Sequence, residues 1–313
     1  MNYVFFDVEC ANCLNGEGKI CSFGYVKTDE RFQVLKKKDI LINPNAPFLL
    51  GNVKTGEGIK LAYPLFRFQH SYSFPHYYDE IKKLLLGGDT YCFGFAVHQD
   101  ISYLSYTCKR YSLPVLYFPY FDIQEFEKKV NHRKDCSGLD TLISTYSLAS
   151  FTYHRSDDDA LMTMEVFKRL LEQEHLTMEE AKKKYPSASS DTATLLKRNE
   201  ERKKLKEQKR LYQEKVNALF ALPSQKTDIN LIDPFFRYKR FFFTYPLLQK
   251  KIDEMPQIRK DIERRGGILL RHPENASVIV TSKKEEKVRV APAYAKYITY
   301  EEFLSHGKGM KKK

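Results

Sequence analysis

The most informative run of hydrophobic residues lies near the N-terminus. Residues Tyr3 to Val8, YVFFDV, are apolar except for Asp7 and are rich in aromatic and β-branched side chains. Such a run predicts a buried strand with both faces covered. Glu9 follows Asp7 by two residues, and on a strand residues two apart point to the same face. The two acids are therefore either a candidate site for chemistry or the polar side of an edge strand in water.

A helical pattern follows three consecutive aspartates in the middle of the chain. Its apolar positions are Leu161, Met164, Val166, Phe167, Leu170 and Leu171. Ser156 as N-cap and Asp159 three residues later would act as a capping box and start this helix without any catalytic role. Alternatively, Asp159 on the first turn and His154 in the preceding loop form a functional pair. An imidazole that titrates near neutral pH can take a proton from an attacking water.

Beyond this helix the pattern changes twice. Residues 192–222 are dominated by charged residues and Leu, and their apolar positions are too sparse for a coiled coil, so they predict a charged helix. The remainder is typical of a small α/β domain. Its predicted elements are a strand at 240–244, a helix at 247–265, strands at 268–271, 277–281 and 297–299, and a helix at 301–304.

These patterns divide the chain into four predicted segments. They are a first α/β domain at residues 1–175, a charged helical linker at 176–234, a small α/β domain at 235–307 and a basic tail at 308–313. With 313 residues, of which 42% are hydrophobic, the chain has enough apolar material for two cores.

The positive charge of the chain is concentrated in its second half. Residues 1–175 contain 20 Lys and Arg against 22 Asp and Glu, a net charge of −2, and the remainder contains 32 against 18, a net charge of +14, which together give +12. Such a basic region can supply phosphate contacts and speed the encounter with a polyanion. The alternative is that the lysine-rich segments are solvated and keep the protein soluble.

Cysteine usage and hydropathy indicate a cytoplasmic protein without a membrane partner. The six cysteines are scattered, whereas a disulfide framework would be dense and paired. Cys10 and Cys13 form a CxxC motif, but no second pair or histidine cluster completes a zinc site. No apolar run approaches the roughly 20 residues that span a bilayer, and the N-terminus has no basic region followed by a cleavage site.

Taken together, the acidic motifs resemble those of a known enzyme family. Asp7-Val8-Glu9, Asp100 in FGFAVHQDISYL, and His154 followed by Asp159-Ala160 occur in the order typical of the DEDDh branch of the DnaQ-like, or RNase H-like, 3′-5′ exonucleases. The epsilon proofreading subunit of bacterial DNA polymerase III exemplifies this family. The resemblance covers about residues 1–175 and implies an α/β exonuclease domain with a mixed sheet flanked by helices.

The resemblance also implies an activity and roles for individual residues. Asp7, Glu9, Asp100 and Asp159 would bind two Mg²⁺ or Mn²⁺ ions, and His154 would be the general base. The expected activity is removal of nucleoside monophosphates from DNA 3′ ends, in replication proofreading or repair.

Four further residues are candidates for contacts with substrate by the same resemblance: Val8, Cys10, Phe48 and Phe66. Phe48, the adjacent Leu49 and Phe66 lie where the family often has a substrate-contacting loop, and they could wedge against the terminal base. The alternative is that these aromatic residues pack in the core or in loops.

The last domain, residues 235–307, resembles a BRCT domain in its element order, in its Gly266-Gly267 turn and in its terminal YITYEEFL. A BRCT-like domain would recruit a replication or repair protein. Two alternatives to a DNA exonuclease remain open. One is an exoribonuclease acting on RNA ends or short oligonucleotides, and the other is a non-catalytic scaffold recruited through the BRCT-like domain.

Overall fold

The structure is a computed structural model that describes residues 1–14, 16–51, 61–148, 154–283 and 286–306. The predicted basic tail lies outside the described residues. The chain forms two compact units, Met1–Glu200 and Glu201–Lys313. The division between them falls within the segment, residues 176–234, predicted to be a linker.

The first unit is built on a six-stranded mixed sheet with the strand order β3-β2-β1-β4-β5-β6. Its strands are β1 (Asn2–Leu14), β2 (Glu17–Thr28), β3 (Val34–Leu41), β4 (Thr90–Gly94), β5 (Pro119–Asp122) and β6 (Ser189–Asp191). Strands β1, β2 and β3 are antiparallel neighbours, β4 and β5 run parallel to β1, and β6 is antiparallel to β5.

Helices flank this sheet, so the predicted α/β fold with a mixed sheet is confirmed. They are α1 (Leu65–Gln69), α2 (Phe74–Leu85), α3 (His98–Arg110), α4 (Ile123–Val130), α5 (Leu139–Thr145), α6 (Ser156–Glu174), α7 (Met178–Lys184) and the start of α8 (Thr192–Ala221). A short 3₁₀ turn, Pro186–Ala188, precedes β6.

Strand β1 separates two hydrophobic clusters, as expected for a strand covered on both faces. Val4 and Phe6 pack in a cluster with α2 and α3, whereas Tyr3 and Phe5 pack in a cluster with α4, α5 and α6. Because side chains alternate along a strand, Asp7 continues the row that contains Tyr3 and Phe5. The acidic residues of β1 therefore lie on the face covered by α6.

The second unit contains a four-stranded parallel sheet with the order β10-β9-β7-β8. Its strands are β7 (Arg240–Phe243), β8 (Ile268–Leu269), β9 (Val278–Thr281) and β10 (Lys296–Thr299), and its helices are α9 (Tyr245–Lys251), α10 (Met255–Arg264), α11 (Tyr300–His306) and the end of α8. Short 3₁₀ turns lie at Ile229–Leu231 and Pro273–Asn275.

The single helix predicted at residues 247–265 is wrong, because the structure has two helices there. The first ends at Lys251, and Pro256 occupies one of the first positions of the second. Proline has no backbone N–H to continue a helical ladder and is well tolerated in a first turn, so it favours a new start at this point. None of the described helices is long and apolar enough to cross a membrane.

Candidate active site

The first pair of acidic residues lies on β1, opposite a part of β2 that has small side chains. Asp7 pairs with Gly24 and Glu9 pairs with Ser22. Residues directly opposite each other on antiparallel strands have their side chains on the same face. On the face that carries the two carboxylates, the small residues of β2 therefore leave free space above the strand. The first turn of α6 occupies this space.

Gly24 makes the close approach of α6 possible. A Cβ atom at this position would lie 2.0 Å from the Ser156 carbonyl carbon and 2.1 Å from the Asp157 nitrogen. Only glycine leaves room for helix backbone at that distance. The first turn of α6 consequently lies directly on the sheet, and Asp159 on that turn is brought to Asp7 and Glu9.

The capping box predicted at Ser156 is wrong. The N-cap residue is Arg155, and no side chain caps the helix. The Ser156 hydroxyl is fully buried and lies 2.5 Å from the Ser22 hydroxyl, and it also donates to Asp39 Oδ1 at 3.4 Å. Because the helix rests on β2, this hydroxyl points into the sheet instead of back to the helix N-terminus.

Three carboxylates meet at the start of α6. Ligand oxygens of Asp7, Glu9 and Asp159 all lie within 4.8 Å of one another. His154 Nδ1 lies 3.4 Å from Glu9 Oε1. His154 has a left-handed backbone with φ 57°, a conformation that histidine adopts more often than most residues. The strand, the helix and the turn before the helix thus supply side chains to one point.

Asp100 approaches the same point from the other side of β1. It lies on the first turn of α3 and is only 7% exposed. Strand β4 pairs with β1 only as far as Phe5, so β1 has an open edge beyond that residue. Asp100 is not within the 4.8 Å group, but its negative charge raises the pKa of Asp7.

Burial and mutual repulsion disfavour the charged forms of these acids. Burial, and then the charge of Asp100, raises the pKa of Asp7 well above its usual range. Burial, and then the charge of Glu9, does the same for Asp100, although hydrogen bonds from the backbone N–H groups of Asp100 and Val8 oppose the shift. Burial, together with the charge of Glu9, raises the pKa of Asp159 to about 7. The hydrogen bond to Glu9 raises the pKa of His154.

A divalent cation would resolve this repulsion, and the donor set fits one. All the converging acids offer carboxylate oxygens, the hard ligands that Mg²⁺ and Mn²⁺ prefer. Clustered carboxylates that are partly removed from water are costly unless a positive charge accompanies them. Asp7, Glu9 and Asp159 could hold such an ion, whereas Asp100 lies outside this group and acts on Asp7 through its charge.

The other two aspartates of the triple-aspartate sequence point away from this cluster. Asp157 accepts from Arg155 Nε at 2.8 Å, and Asp158 accepts a short hydrogen bond from Lys37 on β3. Lys37 is also within 3.6 Å of Asp157. These ion pairs tie the start of α6 to the edge strand, which leaves Asp159 as the aspartate of this turn that faces the metal-ligand candidates.

The four predicted substrate contacts lie in different environments. The Val8 side chain is in the core and is 7% exposed. Cys10 is partly exposed and packs at the edge of the same core. Phe48 is partly buried with its ring 5.6 Å from that of Phe68, and Phe66 on α1 is 60% exposed. A role in substrate binding remains a prediction for Val8, Cys10, Phe48 and Phe66.

Sequence reasoning missed Asp39, a residue of β3 that helps to position the start of α6. Asp39 on β3 accepts a short hydrogen bond from Ser22 in addition to the one from Ser156. Burial raises the pKa of Asp39. It occurs in the strand sequence KKKDIL without a recognisable motif, and its partner Ser156 is 117 residues away.

Comparison with known proteins gives structural similarity only. No family model matches the chain, and no curated relative was found. Among solved structures, the nuclease domain of 3′hExo, a DEDDh family member, bound to rAMP, is similar with 12% identity over 55% of this chain and 91% of that chain, at a TM-score of 0.43.

Two further solved structures are similar over a comparable share of the chain. Exonuclease X in complex with 5′ overhanging duplex DNA has 13% identity over 56% of this chain and 95% of that chain, at a TM-score of 0.41. E. coli Exonuclease I in complex with a dT13 oligonucleotide has 15% identity over 54% of this chain, at a TM-score of 0.44. The match spans only 41% of the Exonuclease I chain.

Proposed function

We propose that this protein is a metal-dependent 3′-5′ exonuclease of the DEDDh type that releases nucleoside monophosphates from DNA 3′ ends. The observation that carries the proposal is the meeting of Asp7, Glu9 and Asp159, with ligand atoms within 4.8 Å of one another, beside an imidazole. A purely structural role does not account for this cluster, because repulsion between the carboxylates costs stability.

The four acids would together coordinate two metal ions. Asp7, Glu9 and Asp159 would bind one ion, and Asp100, whose charge acts on Asp7, would help to bind the second. When bound, two divalent cations orient the scissile phosphate and stabilise the charge that develops on the attacking and leaving oxygens.

His154 would move the proton of the reaction. Its Nδ1 faces Glu9 at 3.4 Å, so an Nδ1–H tautomer can donate to that carboxylate. Nε2 then carries the free lone pair and is the atom that would accept a proton from the attacking water. The side chain is 44% exposed, so water can reach the imidazole ring.

A gel assay with end-labelled oligonucleotides tests the proposal. We expect stepwise shortening of 5′-labelled single-stranded DNA with Mg²⁺ or Mn²⁺, release of 5′-monophosphates, and complete loss of activity in EDTA. His154→Ala should remove most of the activity, and His132→Ala, a change at an exposed histidine elsewhere in the unit, should not.

The same gel separates the alternatives. Faster shortening of RNA than of DNA would identify an exoribonuclease. No metal-dependent shortening of any substrate, or a His154→Ala variant as active as the wild type, would contradict the proposed activity and leave the scaffold alternative. A role in proofreading would require, in addition, a preference for a mispaired 3′ terminus in duplex DNA.

We also propose that residues 235–307 form a BRCT-like domain that recruits a replication or repair protein. The four-stranded parallel sheet, with α9 and α10 between its first two strands and α11 after the last, supports this proposal. Thr244 follows the first strand and is 2% exposed, so its hydroxyl is not available for a phosphate. Affinity capture with the full-length chain, compared with Phe303→Asp, a change in the core under α11, would test recruitment.

A further inference from the structure

The middle of α8 is exposed on every side. All residues from 201 to 211 are exposed, whereas Val216 and Leu219 near the end of the helix are buried in the core of the second unit. A helix that is polar all round gains no stability from burial of an apolar face. The residue types in this stretch are therefore not explained by packing against the rest of the chain.

Five of the six cations of this stretch, all except Lys204, lie on one side of the helix, which we call the basic stripe. It consists of Arg202, Lys203, Lys206, Lys209 and Arg210. At 100° per residue these five positions fall within an arc of about 120°. The acidic residues of the same stretch, Glu201 and Glu207, fall outside this arc.

Most of the charge in the basic stripe is uncompensated. Arg210 forms ion pairs with Glu207 and Glu214. The other four members have no ion pair with any residue that the structure describes. Lys206 has like-charged neighbours four residues away in both directions, and each such pair destabilises a helix by about 0.2–0.5 kcal/mol. A solvated helix that stabilised itself would alternate the signs of its charges instead.

We propose that the basic stripe binds the phosphate backbone of a nucleic acid strand. The inference rests on the proposed function, because it takes the strand to be the exonuclease substrate. Four unpaired cations along one helix face can replace the counterions condensed on a polyanion, and release of those counterions favours binding. The stripe would contribute affinity without sequence preference, since phosphate contacts do not read bases.

The composition of the helix favours nucleic acid over a membrane surface. A helix that lies on a membrane needs an apolar face opposite its cations. The exposed leucines of this stretch, Leu205 and Leu211, are six residues apart and fall on different faces. The stretch therefore offers charge without an apolar face to insert.

A charge-neutralising variant with a matched control tests the proposal. The test variant carries Arg202→Gln, Lys203→Gln, Lys206→Gln and Lys209→Gln, and glutamine keeps a similar helix propensity. The control carries Lys226→Gln, Lys250→Gln, Lys260→Gln and Lys296→Gln, which are exposed lysines of the same unit. Both variants change the net charge by the same amount. Circular dichroism checks that the helix content is unchanged.

Binding is measured by fluorescence anisotropy with a labelled single-stranded oligonucleotide in EDTA, over a series of salt concentrations. If all four cations contact phosphates, the slope of log K against log salt should become less steep by about 3, from roughly 0.7 per contact on single strands. We expect at least a tenfold rise in Kd at low salt for the test variant and much less for the control. Equal slopes for test and control variants would overturn the proposal.

A small substrate separates this inference from the proposed function. The p-nitrophenyl ester of thymidine 5′-monophosphate has no strand for the basic stripe to bind. The test variant should hydrolyse this ester at the wild-type rate but show a raised KM for the oligonucleotide.

If the wild type hydrolyses neither substrate, the proposed function has failed. If it hydrolyses both and the test variant has an unchanged KM and salt slope, the basic-stripe inference has failed. Stripe-dependent binding to phosphatidylserine vesicles, with unchanged oligonucleotide affinity, would also overturn it.

Discussion

The carboxylates of the candidate site make the metal-free protein less stable. The pKa of Asp7, of Asp100 and of Asp159 is raised in the folded state, chiefly by burial. An acid whose folded pKa lies above its unfolded value binds more protons in the folded state, so stability falls as pH rises from the unfolded pKa through the folded pKa. The penalty is small at low pH and is fully present above the folded pKa.

Replacing Asp7 by asparagine should therefore stabilise the metal-free protein while it abolishes activity. In EDTA we expect Asp7→Asn to gain on the order of 1 kcal/mol in the free energy of unfolding at pH 8, and less at pH 5. Turnover should fall by on the order of 10³-fold, because several kcal/mol of charge stabilisation are lost. Urea unfolding at both pH values and the gel assay measure the two effects.

The control for this prediction is Asp135→Asn, which changes an exposed aspartate elsewhere in the unit. It should alter neither stability nor turnover. A loss of stability in Asp7→Asn at both pH values would show that the carboxylate has a structural role that the repulsion argument misses.

At the scale of elements, the site depends on how closely α6 approaches β2. The helix backbone occupies the space above Gly24, and Ser156 is hydrogen bonded to Ser22 and Asp39 beneath it. The ion pairs of Lys37 with Asp157 and Asp158 hold the same turn from the edge of the sheet. This packing brings Asp159 to Asp7 and Glu9 on β1.

Gly24→Ala should displace the start of α6. The new methyl group would meet backbone atoms that cannot rotate away, so we expect a loss of about 1–3 kcal/mol in unfolding free energy. The shift should also separate Asp159 from Asp7 and lower kcat more than it raises KM. Gly88→Ala is the matched control, because a Cβ there meets nothing within 4 Å. Equal kcat values for the two variants, in protein that is otherwise folded, would contradict this account of the site.

The sequence predicted the elements of the site better than the contacts between them. The strand with Asp7 and Glu9 and the helix with Asp159 follow from local patterns of apolar residues, and both are present in the structure. The capping role of Ser156 was wrong because its hydroxyl is used by residues of two other strands. The hydrogen-bond partner of this hydroxyl is decided by residues more than 100 positions away in the sequence. No local sequence pattern contains that information.

At the scale of the whole molecule, each of the two units has its own hydrophobic clusters. The clusters around β1 use residues up to Leu195, and those of the second unit use residues from Tyr212 onward. Each unit contains one β-sheet, but the change between units within a continuous helix could not be predicted. Periodicity locates a helix, whereas packing decides which unit each of its turns joins.

Scanning calorimetry of the full-length chain should therefore show two unfolding transitions. Mn²⁺ should raise the temperature of the transition that belongs to Met1–Glu200 and leave the other unchanged, because a ligand stabilises only the unit that binds it. Asp159→Asn should remove most of this increase. A single transition that moves as a whole with Mn²⁺ would show that the two units unfold together.

The alternation of side chains along β1 links the core of the first unit to its chemistry. Tyr3 and Phe5 pack beneath α6, and the carboxylates of Asp7 and Glu9 extend the same row. A slip of one residue in the pairing of β1 with β2 would send both acids into the opposite core and turn Phe6 and Val8 toward the proposed metal site. Inserting or deleting one residue between Phe5 and Asp7 is therefore expected to abolish folding and catalysis together. The register of β1 thus sets both the packing of the core and the position of the acidic residues.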